Sequence, residues 1–187
     1  MKSTALLPVL AAALLAGCAT ETQLVDTDHD TSPLVNALDS RDFSRVAEKM
    51  ITDMIESGAL DKPNGGRYIV AISRVANRTK QDIDTDQLVK IIRVALLKSK
   101  KAVVSTAISG SGPEDNMSNI VRDLADEDMG GPLLPELSLS GKIVERNLKI
   151  DRSKQRIEYI FELSLTDVKT GVAFWENQEP IIKIGKR

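Results

Sequence analysis

The 187-residue chain contains one cysteine, Cys18, and one histidine, His29. A lone thiol cannot close a disulfide within the chain. One imidazole and one thiolate are too few for a structural zinc site and leave no residue to spare for a histidine-based triad. His29 sits among Asp26, Asp28 and Asp30 and reads as a solvated side chain. The Asp-x-Asp-x-Asp spacing there suggests a calcium loop, which would require Gly at its sixth position and Glu at its twelfth. Those positions are Thr31 and Ala37, and the similar run Asp82-x-Asp84-x-Asp86 has Gln87 and Arg93 in their place. Gly110-Ser111-Gly112 lacks both the Lys-Ser/Thr of a phosphate loop and the third glycine of a dinucleotide fingerprint, so it reads as a turn. No Ser-x-x-Lys occurs anywhere, which excludes the usual signature of a penicillin-binding transpeptidase. The 27 acidic residues offer many carboxylate pairs for sugar cleavage, but sequence singles out none.

The cysteine is the exception to this chemical poverty. Lys2 precedes an apolar run from Ala5 to Ala16, broken only by Pro8, that ends in Leu15-Ala16-Gly17-Cys18. A charged start followed by a short apolar stretch describes a secretory signal, too short for a spanning helix. The four closing residues resemble a bacterial lipobox. That resemblance implies diacylglycerol on the Cys18 sulfur, cleavage after Gly17 and acylation of the new amine. Several acyl chains hold a protein durably to a bilayer. Ala19, where inner-membrane lipoproteins often carry Asp, favours the outer membrane, with the polypeptide facing the periplasm.

Composition narrows the rest. Net charge is −2, so no global basic field draws nucleic acid, and aromatics at 3% argue against base-stacking or sugar-stacking platforms. Residues 19–33 carry four acids and no Lys or Arg, and cannot bury enough surface to order themselves. The expected organisation is a signal peptide over 1–17, a lipidated cysteine with an acidic tether over 18–39, and one globular domain over 40–187. Such a tether reaches at most roughly 70 Å when fully extended, and about 25 Å as a typical coil.

Within the domain, Phe43, Val46, Ala47, Met50, Ile51, Met54 and Ile55 form one helical stripe, with Ser40 as N-cap and Gly58 as stop. Met50 and Met54 read as core filler. Tyr68 to Ile72 is an apolar run without alternation, as in a strand buried on both faces. Asp84-x-x-Gln87 suits a capping box opening a second helix, with Leu88, Ile91, Ile92, Ala95 and Leu96 inside and Lys90, Arg93 and Lys98 outside. Lys98, Lys100 and Lys101 complement that helix's C-terminus, and Val103-Val104 closes a β-α-β unit. Met117, Ile120, Val121, Leu124 and Ala125 suggest a third helix. Alternating runs then predict strands at 137–143 and 157–165, joined by a long charged hairpin loop, and a third from Val172 beyond the turn Asp167–Gly171. The order α-β-α-β-α-β-β-β predicts an α+β domain, a mostly antiparallel sheet of four to five strands with helices packed on it.

Several of these motifs coincide in order: Val75-Ala76-Asn77-Arg78-Thr79 after the first strand, Ile83-Asp84-Thr85 opening the next helix, Asp167-Val168-x-Thr170-Gly171 followed by Trp175, and the tail Pro180-Ile181-Ile182-Lys183. Together with the lipobox they are similar to the LpoB family of outer-membrane lipoproteins over roughly residues 38–184. The resemblance implies no catalysis and no cofactor beyond the covalent lipid. It implies instead a monomeric activator that docks on a class A penicillin-binding protein and stimulates its glycosyltransferase and transpeptidase activities. Asn77, Arg78 and Thr79 are the candidate partner-binding residues. Asn77 is expected to take the left-handed conformation that turns the chain, so that Arg78 points its five-donor fork outward. The chain departs from the family in the lead-in Gly130-Gly131-Pro132-Leu133-Leu134-Pro135 and in its shorter tether. The competing expectation is a structural subunit of an outer-membrane assembly or secretion complex, which self-association would reveal.

Overall fold

The computed structural model describes residues 24–26, 29–32, 35–108 and 133–186. The chain divides into two units, Met1–Leu34 and Val35–Arg187. In the first, His29 Nδ1 lies 3.2 Å from Asp26 Oδ2 with both side chains largely in water. Cys18, the Gly110-Ser111-Gly112 turn and the expected third helix over Met117–Ala125 lie outside the described residues.

In the second unit, α1 (Ser40–Glu56) starts one residue earlier than Ser40 capping would allow, because Asp39 is the cap. Its carboxylate accepts from the amides of Arg41 and Asp42, and the Asp42 carboxylate returns to the Asp39 amide at 3.1 Å. This reciprocal pair satisfies donors that a helix start leaves free. The expected stripe is buried except at Ile55, which is partly so; Ala47, Met50 and Met54 are fully enclosed, and Gly58 at φ +75° turns the chain away. Strand β1 (Tyr68–Arg78) leads to α2 (Thr85–Ser99), capped by Asp84 through the Asp86 amide and closed by Lys100 at φ +60°. The first-half reading of a capping box holds, without a reciprocal bond from Gln87. Arg93, expected outside, is 3% exposed, because α2 packs against α1, β1 and β2 at once.

After β2 (Ala102–Val104) come β3 (Leu137–Lys149), β4 (Lys154–Asp167) and β5 (Ala173–Lys186). They form one sheet in the order β2-β1-β3-β4-β5. β1 runs parallel to both neighbours, whereas the long β3-β4-β5 pairings are antiparallel. The unbroken run in β1 is explained by its central place: Val70, Ala71 and Ile72 are all buried. The hairpin between β3 and β4 is shorter than its charge suggested, only Ile150–Ser153. Lys149 and Lys154 are strand residues at an end where both faces meet water. Core-facing Leu137, Leu139, Ile143, Phe161, Leu163 and Leu165 meet the helices, with Phe43 edge-on to Phe161 at 6.1 Å between centroids. At Gly141 β3 lies close against β4: a Cβ there would stand 2.5 Å from the Glu162 carbonyl oxygen.

Candidate docking site

β1 ends in the Asn77-Arg78-Thr79 turn, and side chains rather than backbone conformation shape it. Among the described residues Lys100 alone, apart from glycines, has a positive φ, so Asn77 is not left-handed. It remains in the strand opposite Ile143. Its Nδ2 donates to the Gln81 carbonyl at 2.8 Å, and its Oδ1 accepts from the Thr79 amide at 2.9 Å and hydroxyl at 2.8 Å. A short amide that can donate and accept at once closes the turn without strain. The Lys80 amide donates to Glu145 Oε2 at 2.8 Å, tying the turn to β3.

The three expected site residues therefore divide. Asn77 and Thr79 hold the turn together, and Arg78 projects from it, exposed and without an ion pair among the described residues. Lys80, which sequence did not single out, is exposed beside it.

The domain's first residues lie against the same end. The Leu38 amide donates to Gln81 Oε1 at 3.0 Å. Tyr159 donates its hydroxyl proton to the Asn36 carbonyl at 3.2 Å, and burial pushes the Tyr159 phenol pKa up. Lys183 Nζ, 9% exposed, donates to the Ala37 carbonyl and pairs with Asp42, both at 2.5 Å. The strap over residues 36–38 is thus pinned by a buried charge pair. The sequence signal for it was Lys183 occupying the inward position of β5, two residues after buried Ile181. Burial pushes the Asp39 carboxyl up, but hydrogen bonds from Arg41 and the Asp42 amide, with the Lys183 and Arg41 charges, hold it below the usual range.

Trp175 packs rather than protrudes: it is 8% exposed, and its Nε1 donates to Asp53 Oδ2 at 2.9 Å. At the opposite end of the sheet, a groove of about 850 Å³ is lined by Tyr68, Ser73, Ser138, Glu136 and Asp167 among others. Both of its carboxyls sit below their ordinary pKa values. A hydrogen bond from Lys62 lowers that of Glu136, and hydrogen bonds from the Thr170 hydroxyl and amide lower that of Asp167. A glycosidase acid needs the opposite shift. Among the described residues no cluster of His, Cys, Asp or Glu could hold a metal ion, and no helix is long and apolar enough to cross a membrane.

The described residues thus form an α+β domain that presents an exposed arginine on a braced turn. The family model described as "Peptidoglycan-synthase activator LpoB" matches residues 42–181, and the chain belongs to that family. Among solved structures, the LpoB C-terminal domain from Escherichia coli is 15% identical with a TM-score of 0.49, covering 75% of this chain and 98% of that one. The Salmonella enterica domain is 13% identical with a TM-score of 0.46 over the same shares. The NMR structure of E. coli LpoB is 13% identical with a TM-score of 0.44, covering 89% of this chain and 80% of that one. No curated protein sequence matches the chain.

Proposed function

We propose that the protein is a non-catalytic lipoprotein that binds a class A penicillin-binding protein and stimulates its synthesis of peptidoglycan. The observation carrying this reading is the family match, which runs from α1 through most of β5. In this reading the signal peptide is removed after Gly17 and Cys18 carries the acyl anchor. The polypeptide faces the periplasm from the outer membrane, and of the tether expected over 18–39 the part up to 34, outside the domain's unit, links the lipid to a monomeric domain. Arg78 is the docking anchor. Because Asn77 and Thr79 already close the turn, the backbone beneath Arg78 needs no ordering when its guanidinium meets a carboxylate, and only the side chain has freedom to lose.

The test adds the mature chain, with Cys18→Ser to make it soluble, to each purified class A synthase of the host. Glycan polymerisation and cross-linking are followed with and without Arg78→Ala. Stimulation of one synthase, reduced in the variant with folding intact, is the expected result. No binding and no stimulation with any synthase would overturn the reading. Ring-like self-association in the same preparation would then favour the assembly subunit.

A further inference from the structure

The tip of the β3–β4 hairpin combines two features that a purely structural hairpin does not need. On the face turned away from the helices, register places Leu148, Arg156 and Ile184 in one row across β3, β4 and β5, and Arg146, Glu158 and Ile182 in the next. Ile182 and Ile184 are 46% and 62% exposed, Leu148 is 37% exposed, and Ile150 in the loop is 51% exposed. Leu148 and Ile150 thus protrude on the β3 side and Ile182 and Ile184 on β5, with Arg156 between them paired to Glu158 at 2.7 Å.

Around them stand Lys149, Arg152, Lys154 and Lys186, all exposed and without ion pairs among the described residues. The one acid of the loop, Asp151, is turned inward to the backbone. It accepts from the amides of Ser153 at 2.7 Å and Lys154 at 2.8 Å. Protruding isoleucine and leucine ringed by cations match an anionic bilayer surface, where apolar tips enter the headgroup layer and each cation adds to the attraction.

The path of the chain supports that occupant. The domain begins at this tip: the Asn36 side chain lies directly over Gly185, and Gly185 pairs with Gln155 at the start of β4. Seventeen residue steps separate Cys18 from Val35, a span of at most roughly 60 Å. We infer that the β3–β4 hairpin tip is a membrane-contacting surface that rests on anionic phospholipid. It relies on the Cys18 anchor only to bring the tip near a bilayer.

The mature chain with Cys18→Ser is sedimented with vesicles of phosphatidylethanolamine and phosphatidylglycerol, and with vesicles of phosphatidylcholine alone. Binding should occur with the anionic vesicles and fall as salt rises. Lys149→Gln with Arg152→Gln should weaken it about 25-fold, at about fivefold per cation. Ile150→Ser should weaken it further, and urea unfolding of each variant checks the fold. No partition to anionic vesicles at low salt, or partition unaffected by the double variant, overturns the proposal. Dimerisation lost in Ile184→Ser would assign the face to a second copy. Synthase stimulation lost in the double variant without any vesicle binding would assign the tip to the synthase. Either result overturns the proposal. The vesicle assay uses a chain without its lipid anchor and contains no synthase, so its failure leaves the activator reading standing.

Discussion

Replacing Lys183 with methionine tests whether the buried charge pair holds the strap to the sheet. The ammonium has two partners at 2.5 Å, the Asp42 carboxylate and the Ala37 carbonyl, and Asp42 is itself only 6% exposed. Breaking a buried pair from one side strands the other charge and costs about 3–5 kcal/mol. Here Asp42 keeps Arg45 Nη2 at 3.1 Å and the Asp39 amide at 3.1 Å, so the lower end applies. We expect a loss of about 3 kcal/mol, which for a domain of this size lowers Tm by roughly 6–12 °C. Urea unfolding should show a lower midpoint at unchanged slope. Amide exchange should quicken at Leu38, whose hydrogen bond to Gln81 depends on the strap's position. Adding Asp42→Asn should cost less than the two single losses summed, since the pair acts as a unit. Stability of Lys183→Met within about 0.5 kcal/mol of the parent would refute the reasoning, because a buried carboxylate stripped of its buried ammonium could not be that inexpensive.

Three further outcomes follow from the same geometry. Asn77→Ala removes a side chain that makes three hydrogen bonds in the turn and should cost about 1–2 kcal/mol, against less than about 0.5 for Arg78→Ala, both by urea unfolding. Gly141→Ala forces a Cβ to 2.5 Å from the Glu162 carbonyl; a thermal melt should show about 1–3 kcal/mol of overpacking loss. The folded Asp39 carboxyl lies below its unfolded value. Its stabilisation is therefore present above the unfolded pKa, near 4, and is lost as pH falls through the lowered folded value. Asp39→Asn, which still caps, should flatten the fall in stability across that window in acid titrations followed by circular dichroism.

Period and punctuation made much of the scaffold legible. The α1 stripe, the unalternating β1 and the alternation of β3 and β4 each reflect a burial pattern that leaves a direct trace in residue order. The misreadings have a common source, in that charge and polarity say where a side chain is tolerated rather than where it lies. Arg93 looked external until α2 proved to be covered on several sides. Lys149 and Lys154 looked like loop residues, although a strand end with both faces in water accepts charge just as well. Ser40 and Asp39 are both good caps, and the choice fell to Asp39 because Asp42 stands three residues on to return the bond. At the candidate site, the exposure of Arg78 was legible. The strap and the Lys183–Asp42 pair were not, since they join residues about 140 positions apart in sequence.

An activator of this build has one lever on its partner. In the reading proposed above, it favours a synthase's active state by binding that state more tightly, and a tenfold shift requires about 1.4 kcal/mol of differential affinity. A single well-placed arginine is enough if its contact is two-pronged, because charge-assisted hydrogen bonds are each worth about 1.5–3 kcal/mol. Arg78→Lys separates this from simple attraction. Lysine keeps the charge, and so the long-range steering, but cannot make the fork. If Arg78 meets a carboxylate with both nitrogens, Arg78→Lys should leave the association rate within about threefold and speed dissociation about tenfold or more, with stimulation falling in step. If lysine restores full stimulation, Arg78 contributes only charge. The specificity of docking must then come from elsewhere on the surface.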